Sequence, residues 1–73
     1  MIDHYHINIF WSEDDDAFIA TVPDLRGCSA SGATPEEALA EVQIAKQMWL
    51  NLAREKNRPI PEPRYRPLVE ASA

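Results

Sequence analysis

Apolar and polar residues alternate along the first part of the chain. One face of the segment His4 to Trp11 carries Tyr5, Ile7, Ile9 and Trp11. Because successive side chains of a strand point to opposite faces, this pattern predicts a half-buried β-strand. Ala17 to Val22 is rich in β-forming residues and predicts a second strand. The acidic segment Ser12 to Asp16 joins them, so we expect an antiparallel hairpin.

A turn and a third strand follow the hairpin. Pro23 has no amide to donate to a sheet, and Asp24 readily bonds to turn backbone, so together they end the second strand. Gly27 to Ser31 predicts a short third strand with small side chains, over which a helix can approach closely. Gly32 then interrupts the strand pattern.

A helix begins after Gly32. Thr34 is the expected N-cap, and Pro35 occupies the first helical position, where its missing amide is not needed. Glu37 stands three residues after the cap and completes a capping box. Helical periodicity continues to about Asn57. The predicted apolar stripe consists of Ala38, Leu39, Val42, Ala45, Trp49 and Leu52.

Three further apolar residues of this helix fall outside the stripe. They are Ile44, Met48 and Leu50. A helix that is apolar beyond one face is expected to bury the remainder against another surface. We therefore predict that Ile44 and Met48 contact a second copy of the chain.

The C-terminal part is expected to be extended. Prolines at alternate positions between Arg58 and Pro63 favour a polyproline-like course. Arg64 to Val69 is predicted to form a fourth strand, in which Pro67 requires either a sheet edge or a break. The predicted architecture is α+β in the order β-β-β-α-β, an antiparallel hairpin sheet covered by one helix. It forms a single domain over residues 1–73, with a core from about 3 to 69.

Length and composition narrow the class of protein. A domain of 73 residues is marginally stable alone, and it commonly gains stability from disulfides, metals or self-association. Cys28 is the single cysteine, and no Cys/His cluster offers a metal site. We therefore expect a homodimer or tetramer. No signal peptide or spanning segment is recognisable, and a free cysteine favours the cytoplasm.

Charge is distributed unevenly. The formal net charge is −5, but residues 1–45 contain nine acidic residues and one basic residue, for a net of −8. An acidic front repels nucleic acid and attracts a basic partner, although from charge alone a solvated surface that keeps a small protein soluble is the more common explanation. The basic residues near the end leave nucleic-acid binding as a weaker alternative: Arg54, Lys56, Arg58, Arg64 and Arg66.

Several of these motifs resemble one known family. Val22-Pro23-Asp24-Leu25-x-Gly27-Cys28 leads to Gly32-x-Thr34-x-Glu36-Glu37-Ala38, and Ile60-Pro61-Glu62-Pro63 follows the helix. Together with the aromatic first strand, they are similar to the HicB-like antitoxins. Arg26 departs from the family, which often has proline there.

The resemblance implies a partial ribonuclease H-like β-β-β-α-β fold that forms dimers or tetramers. It also implies a partner, a small basic RNA-cleaving HicA-type toxin whose active site is masked. Many members add a C-terminal DNA-binding module. Ten residues follow Pro63 here, so we expect no such module and no direct DNA binding.

Candidate catalytic chemistry is sparse, and we predict neither cofactor nor catalytic residue. A two-metal nuclease site needs converging carboxylates, whereas Asp14, Asp15 and Asp16 are adjacent in one loop. Cys28 is interpreted as a buried strand residue rather than a nucleophile. His4 and His6 share a strand face, but two ligands do not make a metal site. Trp11 and Trp49 are interpreted as core aromatics, with Trp11 as an alternative interface anchor.

The sequence therefore predicts a non-enzymatic, antitoxin-like binding protein. The predicted partner-binding residues are Trp11, Glu13, Asp14, Asp15, Asp16, Glu36 and Glu37. The alternatives are an orphan HicB-like oligomeric module with no toxin and, less favoured, a residual nuclease. The identity of a toxin and the order of the oligomer stay open at this level.

Overall fold

A computed structural model describes residues 4–66 of the chain. Three strands, β1 (Asn8–Ser12), β2 (Ala17–Thr21) and β3 (Ser29–Gly32), precede one helix, α1 (Pro35–Glu55). The strands form an antiparallel sheet in the order β1-β2-β3. The predicted α+β architecture, an antiparallel hairpin sheet covered by one helix, is confirmed.

The sheet is built on the predicted hairpin. Trp11 pairs with Phe18 and Ser12 pairs with Ala17, which leaves residues 13–16 as the connection. The connection closes through the Asp16 amide, which donates to the Glu13 carbonyl at 3.3 Å. Asp16 itself has φ 52°, a left-handed conformation that Asp tolerates better than most residues. β1 begins later than predicted, because residues 4–7 carry no strand pairing.

A short turn carries the chain from β2 to β3. The Leu25 amide donates to the Val22 carbonyl and the Cys28 amide donates to the Leu25 carbonyl, each at 3.0 Å. Gly27 has φ 78°, which a side chain would strain. Leu25 is almost fully buried, so this turn supplies a core residue as well as a change of direction.

The helix start follows the predicted capping chemistry with one difference. The Glu37 amide donates to Thr34 Oγ1 at 3.1 Å. The Glu37 carboxylate accepts from the Ala33 amide at 2.9 Å, one residue earlier than in a standard capping box. Gly32 is required beneath this turn, because a Cβ there would lie 2.5 Å from the Ala38 nitrogen.

The helix ends at Glu55, before the predicted Asn57. Asn57 adopts φ 54°, and its amide donates to the Arg54 carbonyl at 3.1 Å. The Arg58 amide donates to the Ala53 carbonyl at 2.8 Å. This pair of bonds around a left-handed residue is a Schellman motif, which satisfies the last carbonyls and redirects the chain.

The buried face of α1 differs from the predicted stripe. Its buried residues are Ala38, Val42, Lys46, Leu50 and Ala53. Leu50, which was predicted to lie outside the stripe, is therefore a core residue. Leu39 and Leu52, which were predicted to lie inside it, are exposed. From Ala38 to Leu50 the buried residues are spaced four apart, and Lys46, with its long aliphatic stem, occupies the centre of this row.

The core lies where the helix covers the sheet. Its buried members are Tyr5, Ala20, Val22, Leu25, Cys28, Ala38, Val42 and Leu50. α1 packs chiefly on β3, less on β2 and least on β1. The helix-facing side of β1 is consequently open, although its alternation is as clear as that of β2.

The segment after the helix returns to the start of the sheet. The Tyr5 hydroxyl donates to the Pro61 carbonyl. One carboxylate oxygen of Asp24 accepts from the amides of Arg64 and Tyr65, both at 3.1 Å. Residues 64–66 carry no strand pairing, so the predicted fourth strand is not found there. The rest of its predicted span lies outside the described residues.

Candidate partner-binding surface

The hairpin connection presents four consecutive acidic side chains, which we call the acidic tip: Glu13, Asp14, Asp15 and Asp16. All four are exposed. The Ser12 hydroxyl donates to Asp15 Oδ2 at 2.9 Å, and the Asp15 amide reaches Ser12 Oγ at 3.3 Å. These bonds order the connection and engage one of its four carboxylates. The acidic tip therefore presents concentrated negative charge on a backbone of fixed shape.

Aromatic side chains stand next to the acidic tip, on both faces of β1. Trp11 is 47% exposed and Phe10 is 50% exposed. The Trp11 ring packs edge-on against Phe18, with centroids 5.1 Å apart. The interpretation of Trp11 as a core aromatic is therefore wrong, because α1 does not reach far enough across the sheet to cover it. A half-exposed indole that is held by an aromatic neighbour and lies next to charged residues is typical of an interface anchor.

The start of α1 lies at the same end of the sheet as the acidic tip. Trp11, Phe18 and Gly32 form one row across the three strands. Gly32 in turn lies against the backbone of Glu37. The predicted acids Glu36 and Glu37 are both exposed there, but the Glu37 carboxylate is engaged in the cap. The fold thus brings all seven predicted partner-binding residues to one end.

Ile44 and Met48, the predicted oligomer contacts, lie elsewhere. Both are exposed, and among residues 4–66 Met48 is the most exposed large apolar side chain, at 66%. Leu52 continues their row at the same spacing and is also exposed. Leu52 was predicted to belong to the buried stripe, and the four-residue spacing from Ile44 through Met48 was the signal that could have placed it on this exposed row.

Trp49 connects the helix to the turn before β3. It is partly buried against the core, as predicted. Its indole Nε1 donates to the Arg26 carbonyl at 2.9 Å. This bond satisfies the polar end of a buried aromatic and fixes the helix over the turn.

Cys28 is buried and unsuited to nucleophilic chemistry. Burial raises the pKa of its thiol, and the nearby charge of Lys46 offsets part of that effect. The thiol therefore stays protonated at neutral pH, whereas a reactive cysteine needs the thiolate. Its role is packing against the core.

The two histidines do not converge on a metal. His4 is exposed, whereas His6 Nε2 lies 2.7 Å from Asn8 Oδ1 and its ring packs at a tilted angle against Tyr65. Among residues 4–66, no group of three or more His, Cys, Asp or Glu side chains is arranged to hold an ion. His6 instead helps hold the returning segment.

Comparison with known proteins identifies the family. The family described as "HicB_like antitoxin of bacterial toxin-antitoxin system" matches residues 5–71. The chain belongs to the HicB-like antitoxin family. The match includes the turn before β3, the capped helix start and the returning segment, so the residues that carry the resemblance are also those that build the fold.

One similar protein is the UPF0150 protein ssl0259 of Synechocystis sp. (strain ATCC 27184 / PCC 6803 / Kazusa). It is 46% identical over 44 residues, which is 60% of this chain and 60% of that protein. The chain therefore aligns with less than two thirds of that relative. No solved structure matches this HicB-like chain. Within the described residues, α1 is too polar to cross a membrane, and no other helix is present.

Proposed function

We propose that this HicB-like protein is the antitoxin of a basic, HicA-type RNA-cleaving toxin and inhibits it by covering the toxin's active site. The observation that carries the proposal is the acidic tip beside the half-exposed Trp11, in a chain that belongs to an antitoxin family. A toxin that binds RNA must present positive charge to phosphates. A fixed acidic surface competes for that charge.

The proposed mechanism is occlusion, with no bond made or broken by this chain. Opposite charges at the acidic tip would accelerate encounter and orient the partner. Trp11 would then bury its remaining exposed surface against the toxin as an aromatic anchor. Glu36 would extend the acidic surface from the helix start. Such a complex would form in the cytoplasm, where RNA is cleaved.

The test begins with the neighbouring reading frames, where we expect a small basic protein. We expect its toxicity to be relieved by co-expression of this chain and the two proteins to co-purify. Asp14→Lys should slow association about threefold to tenfold at low salt, because it places a positive charge on the acidic tip. Trp11→Ser should instead speed dissociation, because it removes the anchor.

Glu62→Lys is the matched control. It makes the same change in net charge at an exposed residue of the returning segment, away from the acidic tip, and should slow association much less. Equal slowing by both variants would show that only net charge matters. Absence of any complex would favour the orphan module, and RNA cleavage by the purified chain alone would refute occlusion.

A further inference from the structure

The open edge of the sheet at β3 is suited to receive another strand. Among residues 4–66, β3 pairs with β2 on one side only. The Val22 amide donates to the Cys28 carbonyl at 3.0 Å, so alternation makes Ala20 and Ala30 the next hydrogen-bonded pair. The backbone groups of Ser29 and Ser31 then point outward. β3 carries no charge, proline or bulge, which are the usual protections of an edge.

An apolar groove runs beside this edge, between β3 and α1. Its volume is about 440 Å³, and its lining includes Cys28, Ser29, Ala45, Met48, Leu52 and Glu55. Ile44, Met48 and Leu52 are all at least half exposed along the adjoining flank of α1. We call the cavity, together with this exposed row on α1, the β3 groove. It combines unpaired backbone on one side with apolar side chains on the other, which is the combination used in strand addition.

The charges along the β3 groove select its occupant. Glu41 and Glu55 stand on the same flank of α1 as Met48 and are exposed. In a two-fold pairing of this flank with a second copy, centred on Met48, each Glu41 would face Glu55 of the other chain. Arg26 and Arg58 line a neighbouring cavity, which shares Trp49 and Leu52 with the β3 groove and lies away from the flank that carries Glu41. The flank therefore repels its own copy and favours a basic segment.

The spacing of the two acids also fits an extended chain. Glu55 lies fourteen positions after Glu41 on the helix, a distance of about 21 Å along the axis. Seven residues of β-strand span about 20 Å. An added strand with basic residues at its two ends therefore matches the spacing and charge of Glu41 and Glu55. Apolar residues between those ends match the apolar lining of the β3 groove, to which Glu55 also belongs.

We propose that the β3 groove binds an extended, basic segment of another protein, which adds to the sheet beside β3. Apolar side chains of that segment fill the space beside Met48 and Leu52, and its end charges meet Glu41 and Glu55. This inference goes beyond toxin occlusion, because it concerns a different face and needs no toxin. It also replaces the predicted second copy with a different occupant for Ile44 and Met48.

The test is an NMR titration of the full-length chain with a capped heptapeptide, Lys-Ser-Val-Ser-Val-Ser-Lys. Its lysines and valines fall on one face of a strand. We expect shift changes at Ser29, Ser31, Met48 and Leu52, with slowed amide exchange at Ser29 and Ser31. Glu41→Gln combined with Glu55→Gln should weaken binding about fivefold, since exposed ion pairs contribute modestly. Met48→Asp should abolish the shifts.

Control peptides and a control variant make the result specific. Peptides with glutamate in place of lysine, or serine in place of valine, should bind at least about tenfold more weakly. Asp14→Lys, at the acidic tip, should leave peptide binding unchanged. Its effect on toxin association is a separate measurement, so failure of one proposal does not imply failure of the other.

Three results would overturn the proposal. Shifts confined to the acidic tip would place the peptide elsewhere. Protection of Ser29 and Ser31 that grows with protein concentration, without peptide, would identify a second copy as the occupant. Protection that is complete and independent of concentration would show that the chain covers its own edge.

Discussion

The helix-facing side of the sheet has a covered half and an open half. Ala20 on β2 is fully buried beneath α1, whereas its pairing neighbour Ile9 on β1 is 37% exposed. Both strands alternate, so the difference comes from where the helix lies and not from the strands. Alternation along a strand identifies which face of the sheet is apolar. The position of the covering helix decides whether that face becomes core or binding surface.

The two halves should respond differently to truncation. Leu25→Ala, in the covered core, should lower the free energy of unfolding by about 2–5 kcal/mol, because it leaves a cavity. Trp11→Ser, in the open half, should lower it by no more than about 1.5 kcal/mol, mainly through the edge-on contact with Phe18. Urea unfolding followed by circular dichroism measures both. A larger loss for Trp11→Ser would mean that Trp11 is covered after all.

In the covered half, the start of α1 lies very close to the end of β3. Gly32→Ala should destabilise the fold by about 1–3 kcal/mol, because the new methyl group would overlap the backbone of Glu37 and Ala38. Ser31→Ala, one residue earlier on the exposed face, is the control and should change stability by less than about 0.5 kcal/mol. Equal losses of stability in the two variants would indicate that the start of α1 moves to accommodate the added methyl group.

The N-cap at Thr34 fixes the start of α1, the helix that covers one half of the sheet and leaves the other half open. Thr34→Ala should cost about 1 kcal/mol, because the Glu37 amide loses its acceptor. Thr34→Ser keeps the hydroxyl and should recover most of that stability. Thermal unfolding compares the three proteins. If serine fails to restore stability, the effect of Thr34 comes from its methyl group and not from the cap.

The smallest expected effect is the pH dependence contributed by Cys28. Burial raises the pKa of this thiol, so folding favours its protonated form. That stability is complete below the ordinary thiol pKa and is lost as pH rises through the raised value. The melting temperature should therefore fall more between about pH 8 and pH 10 in the natural chain than in Cys28→Ala. Parallel curves would contradict burial of the thiol.

Local signals in the sequence sufficed for much of the fold. The hairpin, the third strand and the cap at Thr34 each depend on neighbouring residues, and each is found, although β3 begins at Ser29 rather than Gly27 and includes Gly32. The burial of Leu50 was not predictable, because it depends on the position of α1, which lies mainly over β3. The exposure of Trp11 has the same cause. The acidic tip was located by sequence, whereas its proximity to Glu36 required the register of all three strands.

The contacts of Tyr5 with Pro61 and of Asp24 with Arg64 and Tyr65 fasten both ends of the described chain at one pole. The acidic tip occupies the opposite pole, across the length of the hairpin. A dye, affinity handle or fused domain joined upstream of His4 or downstream of Arg66 would start its path far from Asp14. Surface-tethered measurements can therefore anchor this small protein by either extremity and leave its charged end facing solution.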